Sequence, residues 1–203
     1  RRERIPLFFA ASSSTRFLHH HDNPYTFSKS MNEELLELYR KRFGLEYHML
    51  YFYNVYGPRE ADYGEHSTVV RAFKKCVESD QPLRIFGSGK KERDFTHIHD
   101  VIDGIIQLLT SKNKPKHVHL GSGNPVSIMD LAKAFDHSIV HEFDKKGEAE
   151  VTECADPYIE AEYDVISYVK KWKSDFEEER ILHNVNKDLR KVEKKYAKTD
   201  SGQ

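Results

Sequence analysis

The chain has 203 residues, enough for one large domain or two small ones with a real core. Its 32 basic and 33 acidic residues leave a formal net charge of -1, so no global charge draws it to nucleic acid or to a membrane surface. No apolar run is long enough to span a bilayer, "RRERIPLFFAASSS" is too short in apolar residues for a signal peptide, and Cys76 and Cys154 form no CxxC pair. A soluble, cytoplasmic chain with incidental thiols and no zinc site is expected.

In chain order, "IPLFFAA" (Ile5 to Ala11) is a short apolar run ended by Ser12, Ser13 and Ser14, the pattern of a buried parallel strand entering a loop. "NPYTFSKSMNEELLELYRKRFG" predicts a helix with Met31, Leu35 and Leu38 on one side, ended by Gly44. "EYHMLYFYNVYG" reads as a second strand running to Gly57-Pro58. After a polar loop, "TVVRAFKKCVES" has helical spacing at Val69, Val70, Phe73 and Val77. "QPLRIFGSGKKERDFTHIHD" alternates strand and turn signals, and "VIDGIIQLLTS" predicts a helix. A strand, "KHVHLGSGN", and a helix, "SIMDLAKAF", follow. From Asp144 polarity rises, and "NKDLRKVEKKYAKTDSGQ" reads as a solvated or fraying helix rather than a nucleic-acid arm, because acids interrupt its bases. Strand, helix, strand is the rhythm of an α/β domain.

Tyr25 and Lys29 are four residues apart, so on a helix both side chains share a face. An ammonium beside a phenol favours phenolate, and such a pair can serve as a general base. Tyr-x-x-x-Lys is nevertheless common by chance, and alone it would be two surface residues. His19 to His21 read as a polar loop, since successive imidazoles do not converge on one metal ion. His97 and His99 share a face of a strand and take structural or loop roles. Gly87/Gly89 and Gly121/Gly123 lack the third glycine of a dinucleotide fingerprint and are turns.

The ordered set "FFAASSST", "PYTFSK", "YFYNVYGPRE", "RIFGSGKKERDFTHIHDV", "HLGSGNPVSIMDLAKAF" and "KKGEAEVTECAD" resembles the C-terminal part of the extended short-chain dehydrogenase/reductase family. Within it, the set looks most like the NAD-dependent nucleoside-diphosphate-sugar 4-epimerases. The resemblance implies an α/β fold: the C-terminal part of a Rossmann-type doubly wound parallel sheet plus a smaller α/β substrate-binding region. It divides the chain into residues 1–60, a partial Rossmann core with the Tyr-Lys helix; residues 61–180, mostly substrate-binding with interleaved Rossmann elements; and residues 181–203, a polar tail.

The resemblance also implies roles. Tyr25 takes the proton of the sugar 4-hydroxyl while a hydride passes to the nicotinamide of NAD. Lys29 holds the nicotinamide ribose and favours the phenolate. The keto sugar then turns over and is reduced on its other face. A strand-end serine binds the same hydroxyl; Ser12 matches best, with Ser13 as the other register. Tyr53 matches an aromatic near the nicotinamide, so Tyr25, Lys29 and Tyr53 form the expected cofactor set. Asn54 and Arg93 match groups on the sugar-nucleotide diphosphate, a task suited to a planar, charged fork. The plain alternative for Arg93 is a surface ion pair with Glu92 or Asp94. Arg84, Ile85 and Phe86 match the strand lining the base pocket. Lys145 and Glu148 fall on an Arg-Pro-Gly-acid element touching phosphate and ribose, here with lysine for arginine and Lys146 for proline.

The sequence carries no glycine-rich fingerprint, so on this resemblance the chain begins at about the fifth strand and the main NAD-binding half lies outside it. Ser13 and Ser14 stand where related dehydratases place acids, which favours a 4-epimerase. The expected partner is a nucleoside-diphosphate sugar, chiefly a UDP-hexose. Neither metal, nucleic acid nor membrane is expected, and family members commonly form homodimers. The alternative is a sugar-nucleotide-binding pseudoenzyme or a truncated remnant of such an epimerase.

Overall fold

The structure is a computed structural model that describes residues 8–13, 24–61, 67–144 and 148–200. The runs Ile5 to Leu7 and His19 to His21, and Ser14, Lys145 and Lys146, lie outside them.

Strand β1 (Phe8–Ser13) leads to helix α1 (Pro24–Phe43) and strand β2 (Tyr47–Phe52). β1 runs parallel to β2, with Ser12 opposite Tyr51 and Ser13 opposite Phe52. β2 runs parallel in turn to β7 (His117–Leu120), giving the sheet order β1-β2-β7. The expected single strand through Gly57 is broken. Asn54 takes φ 30, a left-handed turn that asparagine tolerates, and a separate short strand β3 (Val55–Tyr56) follows.

Helix α2 (Val69–Glu78), strand β4 (Leu83–Phe86), strand β5 (Glu92–Asp94) and strand β6 (Thr96–His97) come next, then helix α3 (Ile98–Thr110) ahead of β7. Thr68 caps α2 by accepting from the Arg71 amide, and Ser127 caps helix α4 (Ile128–Ala134) by accepting from the Asp130 amide. β8 (Pro125–Ser127), β9 (Ile139–Glu142) and β10 (Val151–Thr152) complete the strands, the last two without a sequence signal. β5 is central to a small mixed sheet, β10-β5-β8, in which Thr152 lies opposite Arg93. Helix α5 (Val165–Asp200) closes the described chain; the Asp164 carboxylate accepts from the Ser167 amide at 2.7 Å at its start.

Side-chain alternation on β2 separates the two faces of its sheet. Tyr47, Met49 and Tyr51 pack with Leu36 of α1, while Leu50 and Phe52 pack with Val101 and Leu108 of α3 and with Val118 and Leu120 of β7. The face toward α1 is thus rich in hydroxyls. α1 answers with Glu33, which accepts from Tyr51 Oη at 3.0 Å, and with Glu37, which accepts from Tyr47 Oη at 3.2 Å. It buries Thr26, Ser30 and Glu33, and the side carrying Met31, Leu35 and Leu38 faces outward. A second core, built from Phe73, Leu83, Ile85, Leu131, Phe135 and Val169 among others, joins α2, β4, α4 and the start of α5. Each such large side chain contributes about 1.5–3 kcal/mol by leaving water.

A further expectation changes. His97 and His99 do not share a strand face: His97 ends β6 and accepts from the His99 amide as the cap of α3, and its ring stacks on Tyr163 with centroids 4.2 Å apart. The polar C-terminal segment is helical through Asp200, as part of α5.

Candidate active site

The C-terminal ends of parallel strands are where an open α/β sheet leaves room for ligands. Ser12 and Ser13 end β1, Asn54 follows β2, and Pro24 opens α1, where proline's fixed φ suits the first helical turn. These ends surround a cavity of about 330 Å³ lined by Ser12, Ser13, Tyr25, Lys29, Asn54 and Arg93, with Ala11, Phe52, Val55 and Thr152 completing the wall. Six of the residues singled out in the sequence therefore meet at one place, from segments as far apart as β1 and β5.

Lys29 Nζ stands 5.5 Å from the centroid of the Tyr25 ring, so helical spacing does bring the ammonium to the phenol. Tyr25 is 53% exposed and Ser12 only 4%. Among the described residues, Ser12 Oγ has no hydrogen-bond partner although it is buried in the cavity wall. A buried hydroxyl without a partner is costly unless a ligand or water satisfies it.

Arg93 is held from behind. Its Nη1 donates to the main-chain oxygens of Glu92 at 2.8 Å and Ala149 at 2.9 Å, and its Nη2 reaches Glu148 Oε2 at 3.5 Å. Nε makes no hydrogen bond among the described residues, so the Nε/Nη2 edge retains donors for an anion. Burial pulls the guanidinium below its ordinary pKa, while Glu148 and Glu150 oppose the shift. Arginine stays charged throughout. The ion partner is Glu148, not Glu92 or Asp94.

Asn54 Nδ2 donates to the Asp94 main-chain oxygen at 2.9 Å and to Thr152 Oγ1 at 3.3 Å. Since a backbone carbonyl only accepts, the amide orientation is fixed, and Oδ1 is the atom left for a ligand. Asp94 itself is fully buried. Its carboxylate accepts from the amides of Ser122, Gly123 and Cys154 at 2.8–2.9 Å and from Ser122 Oγ at 2.6 Å. Sequence reasoning missed Asp94 and Thr152. The first looked like a surface partner of Arg93, and the second sits on a two-residue strand without periodicity.

Other expected residues lie elsewhere. Tyr53 is buried, its Oη is 2.9 Å from His119 Nδ1, and burial pushes its phenol above the ordinary range. It lies outside the cavity lining. Of β4, Arg84 turns outward to pair with Glu142, Phe86 is half-buried, and the Ile85 side chain is fully buried in the core, leaving only its main chain for a base pocket. Glu148 pairs with Arg93 and stands 3.8 Å from Lys91. A larger cavity of about 680 Å³, between α3 and residues 157–162, has acids such as Asp103 and Glu160 in its lining and, among the described residues, no base. Among the described residues no group of three histidines, cysteines or acids could hold a metal, and no helix is long and apolar enough to cross a membrane.

A phenol and ammonium one turn apart, a strand-end serine and an anchored arginine thus meet at the strand ends of a parallel α/β sheet. Residues 3–121 match the NAD dependent epimerase/dehydratase family, and the chain belongs to that family. It is similar to the putative UDP-glucose 4-epimerase of Methanocaldococcus jannaschii, with 36% identity over 127 residues that make up 63% of this chain and 39% of that protein. The match thus spans between about a third and two fifths of the length of the curated relatives. Among solved structures, the UDP-glucose 4-epimerase of Thermotoga maritima with UDP-glucose superposes with a TM-score of 0.72 at 23% identity, over 85% of this chain and 63% of that one. The UDP-glucuronic acid 4-epimerase of Bacillus cereus, in complex with UDP-glucuronic acid and NAD, gives 0.69 at 24%, over 83% and 60%. At those identities the superpositions establish the fold: a mixed α/β architecture with parallel sheets of Rossmann type.

Proposed function

We propose that this chain supplies the proton-transferring and sugar-nucleotide-binding part of an NAD-dependent 4-epimerase acting on a nucleoside-diphosphate sugar, chiefly a UDP-hexose. The observation that carries the reading is the single cavity that gathers Ser12, Ser13, Tyr25, Lys29, Asn54 and Arg93. The UDP-sugars bound by the similar epimerases support the ligand class.

Tyr25 is the general base for the sugar 4-hydroxyl, with the Lys29 ammonium 5.5 Å from its ring centroid. Ser12, or Ser13 one residue on, orients that hydroxyl, and the unpartnered Ser12 Oγ supports its need for a ligand. The open edge of Arg93 takes the diphosphate, where a charged, planar fork gives two parallel hydrogen bonds. Asn54 Oδ1 accepts from a ligand donor. Glu148 steadies Arg93.

The donor set fits one end of NAD: Tyr25 and Lys29 offer a hydroxyl and an ammonium to its nicotinamide ribose. The glycine cradle for its pyrophosphate does not occur in this sequence. When bound, NAD supplies the oxidation and reduction at C4. A homodimer belongs to the same reading, and the outward Leu35 and Leu38 of α1 support it.

The test is interconversion of UDP-hexose epimers by the NAD-loaded protein. Tyr25→Phe should lower kcat by at least two orders of magnitude with little change in UDP affinity. An unchanged rate removes Tyr25 from the mechanism. UDP binding that is lost in Arg93→Ala, with no epimerisation under any NAD loading, leaves a binding protein.

A further inference from the structure

Helix α5 has 36 residues and so a length of about 54 Å at 1.5 Å per residue. Only its beginning belongs to the body: Val165 and Val169 are buried in the core, and Trp172 packs on Phe135 and on Phe176, with centroids 5.8 and 5.4 Å apart. Every residue from Glu177 through Arg190 is exposed.

That projecting part has an apolar stripe of its own. Leu182 is 61% exposed, Val185 50% and Leu189 54%. Their spacing of three then four residues is that of a coiled-coil seam, and the sequence continues it with valine at 192 and tyrosine at 196. At about 100° per residue, Val185 lies roughly 180° around the helix from Phe176. The seam therefore points away from the side that α5 turns to its own body. The continuation of the body-facing side is polar instead, with Arg180, His183, Lys187 and Arg190. The chain's own core does not extend to cover the seam.

The charge pattern identifies what does. Asp175, Glu177, Glu178 and Glu179 make residues 175–179 acidic, with Arg180 following, whereas residues 187–198 hold six bases against Asp188 and Glu193. Two parallel copies would set acid against acid and base against base. Two antiparallel copies centred near residue 187 set each acidic part against the other's basic part, place Val185 opposite Leu189, and place Leu182 opposite position 192.

We infer that the projecting half of α5 pairs with the same segment of a second copy of this chain, antiparallel, through the Leu182/Val185/Leu189 seam. This interface is distinct from the outward face of α1 and does not depend on the proposed catalysis.

Light scattering on the purified chain tests it, against the double variant Leu182→Asp/Leu189→Asp. Both positions are exposed, so the body of the variant stays folded. With the outward face of α1 silenced by Leu35→Asp in both proteins, the chain with α5 intact should have about twice the mass of the α5 variant, and high salt should narrow the difference as it screens the charges. Equal masses overturn the inference. Orientation is read by oxidising a mixture of Val185→Cys and Leu189→Cys chains. Antiparallel pairing gives the mixed 185–189 disulfide in preference, and dominance of 185–185 and 189–189 disulfides overturns it.

Discussion

The side-chain amide of Asn54 donates to the main-chain oxygen of Asp94 at 2.9 Å, tying the end of β2 to β5 beside the cavity that Asn54 lines. Its second hydrogen goes to Thr152 Oγ1 at 3.3 Å. Asn54→Asp replaces the donor by an oxygen facing a carbonyl. It should cost about 1–3 kcal/mol of stability and weaken UDP binding together with it. Asn54→Gly keeps the left-handed backbone and removes the tie together with the Oδ1 acceptor, so it should cost less stability but still weaken UDP binding. Urea unfolding beside UDP titration compares the two. Equal stability of Asn54→Asp and the parent chain would show that the tie carries no load.

Arg93 offers its Nε/Nη2 edge because Nη1 is occupied by two main-chain oxygens. Arg93→Lys retains charge but not the fork, and it cannot hold the Glu92 and Ala149 carbonyls while also reaching an anion. UDP affinity should fall roughly tenfold in Arg93→Lys and by tenfold to a hundredfold in Arg93→Ala. Glu148→Gln should change it far less, since that contact is at 3.5 Å. Calorimetric titration with UDP measures all three.

How much of this could be read from the residues differs by element. Helices with caps and apolar spacing, such as α2 behind Thr68 and α4 behind Ser127, were legible because local chemistry specifies them. α1 was legible as a helix but not in its orientation. Which side it buries depends on Tyr47 and Tyr51, which lie on another strand and invite Glu37 and Glu33. β9 and β10 left no signal, since pairing with β4 and β5 defines them. In the site, Tyr25 and Lys29 are joined by helix geometry and Ser12 by strand order. Asp94 beside Arg93 misled, because adjacent residues on a strand face opposite ways: Arg93 lines the cavity while Asp94 turns inward.

Asp94 anchors three amides and one hydroxyl while fully buried. Asp94→Ala strands those donors in the interior and should destabilise the chain by about 3–5 kcal/mol, whereas a surface acid such as Glu34, exposed on α1, changed to alanine should stay within about 0.5 kcal/mol. Asp94→Asn keeps the shape but turns one acceptor into a donor facing N–H groups, so it should recover only part of the loss. Chemical denaturation with unchanged m-values separates these outcomes from a change in compactness.

Alkaline pH should weaken the fold through Cys154. The thiol is buried against Gly121 and Tyr53, and burial, helped by the Asp94 carboxylate, pushes it up from 9.0 to about 11. In the unfolded chain the thiol ionises near 9, while in the folded chain it stays protonated until about 11. Its contribution is therefore fully present below the unfolded value and is lost as pH rises through the folded one, at most about 3 kcal/mol for a rise of that size. Burial raises the phenols of Tyr53 and Tyr56 as well, so they add to the loss on the same side. Urea midpoints should be level up to about pH 9 and then decline, less steeply in Cys154→Ala. A thiol reagent adds a second readout: Cys76, only partly buried, should react in the native state, and Cys154 should react at the rate of unfolding. Native-state labelling of Cys154 as fast as Cys76 would mean that the Asp94 turn, with Gly121 packed against the thiol, is not closed in solution.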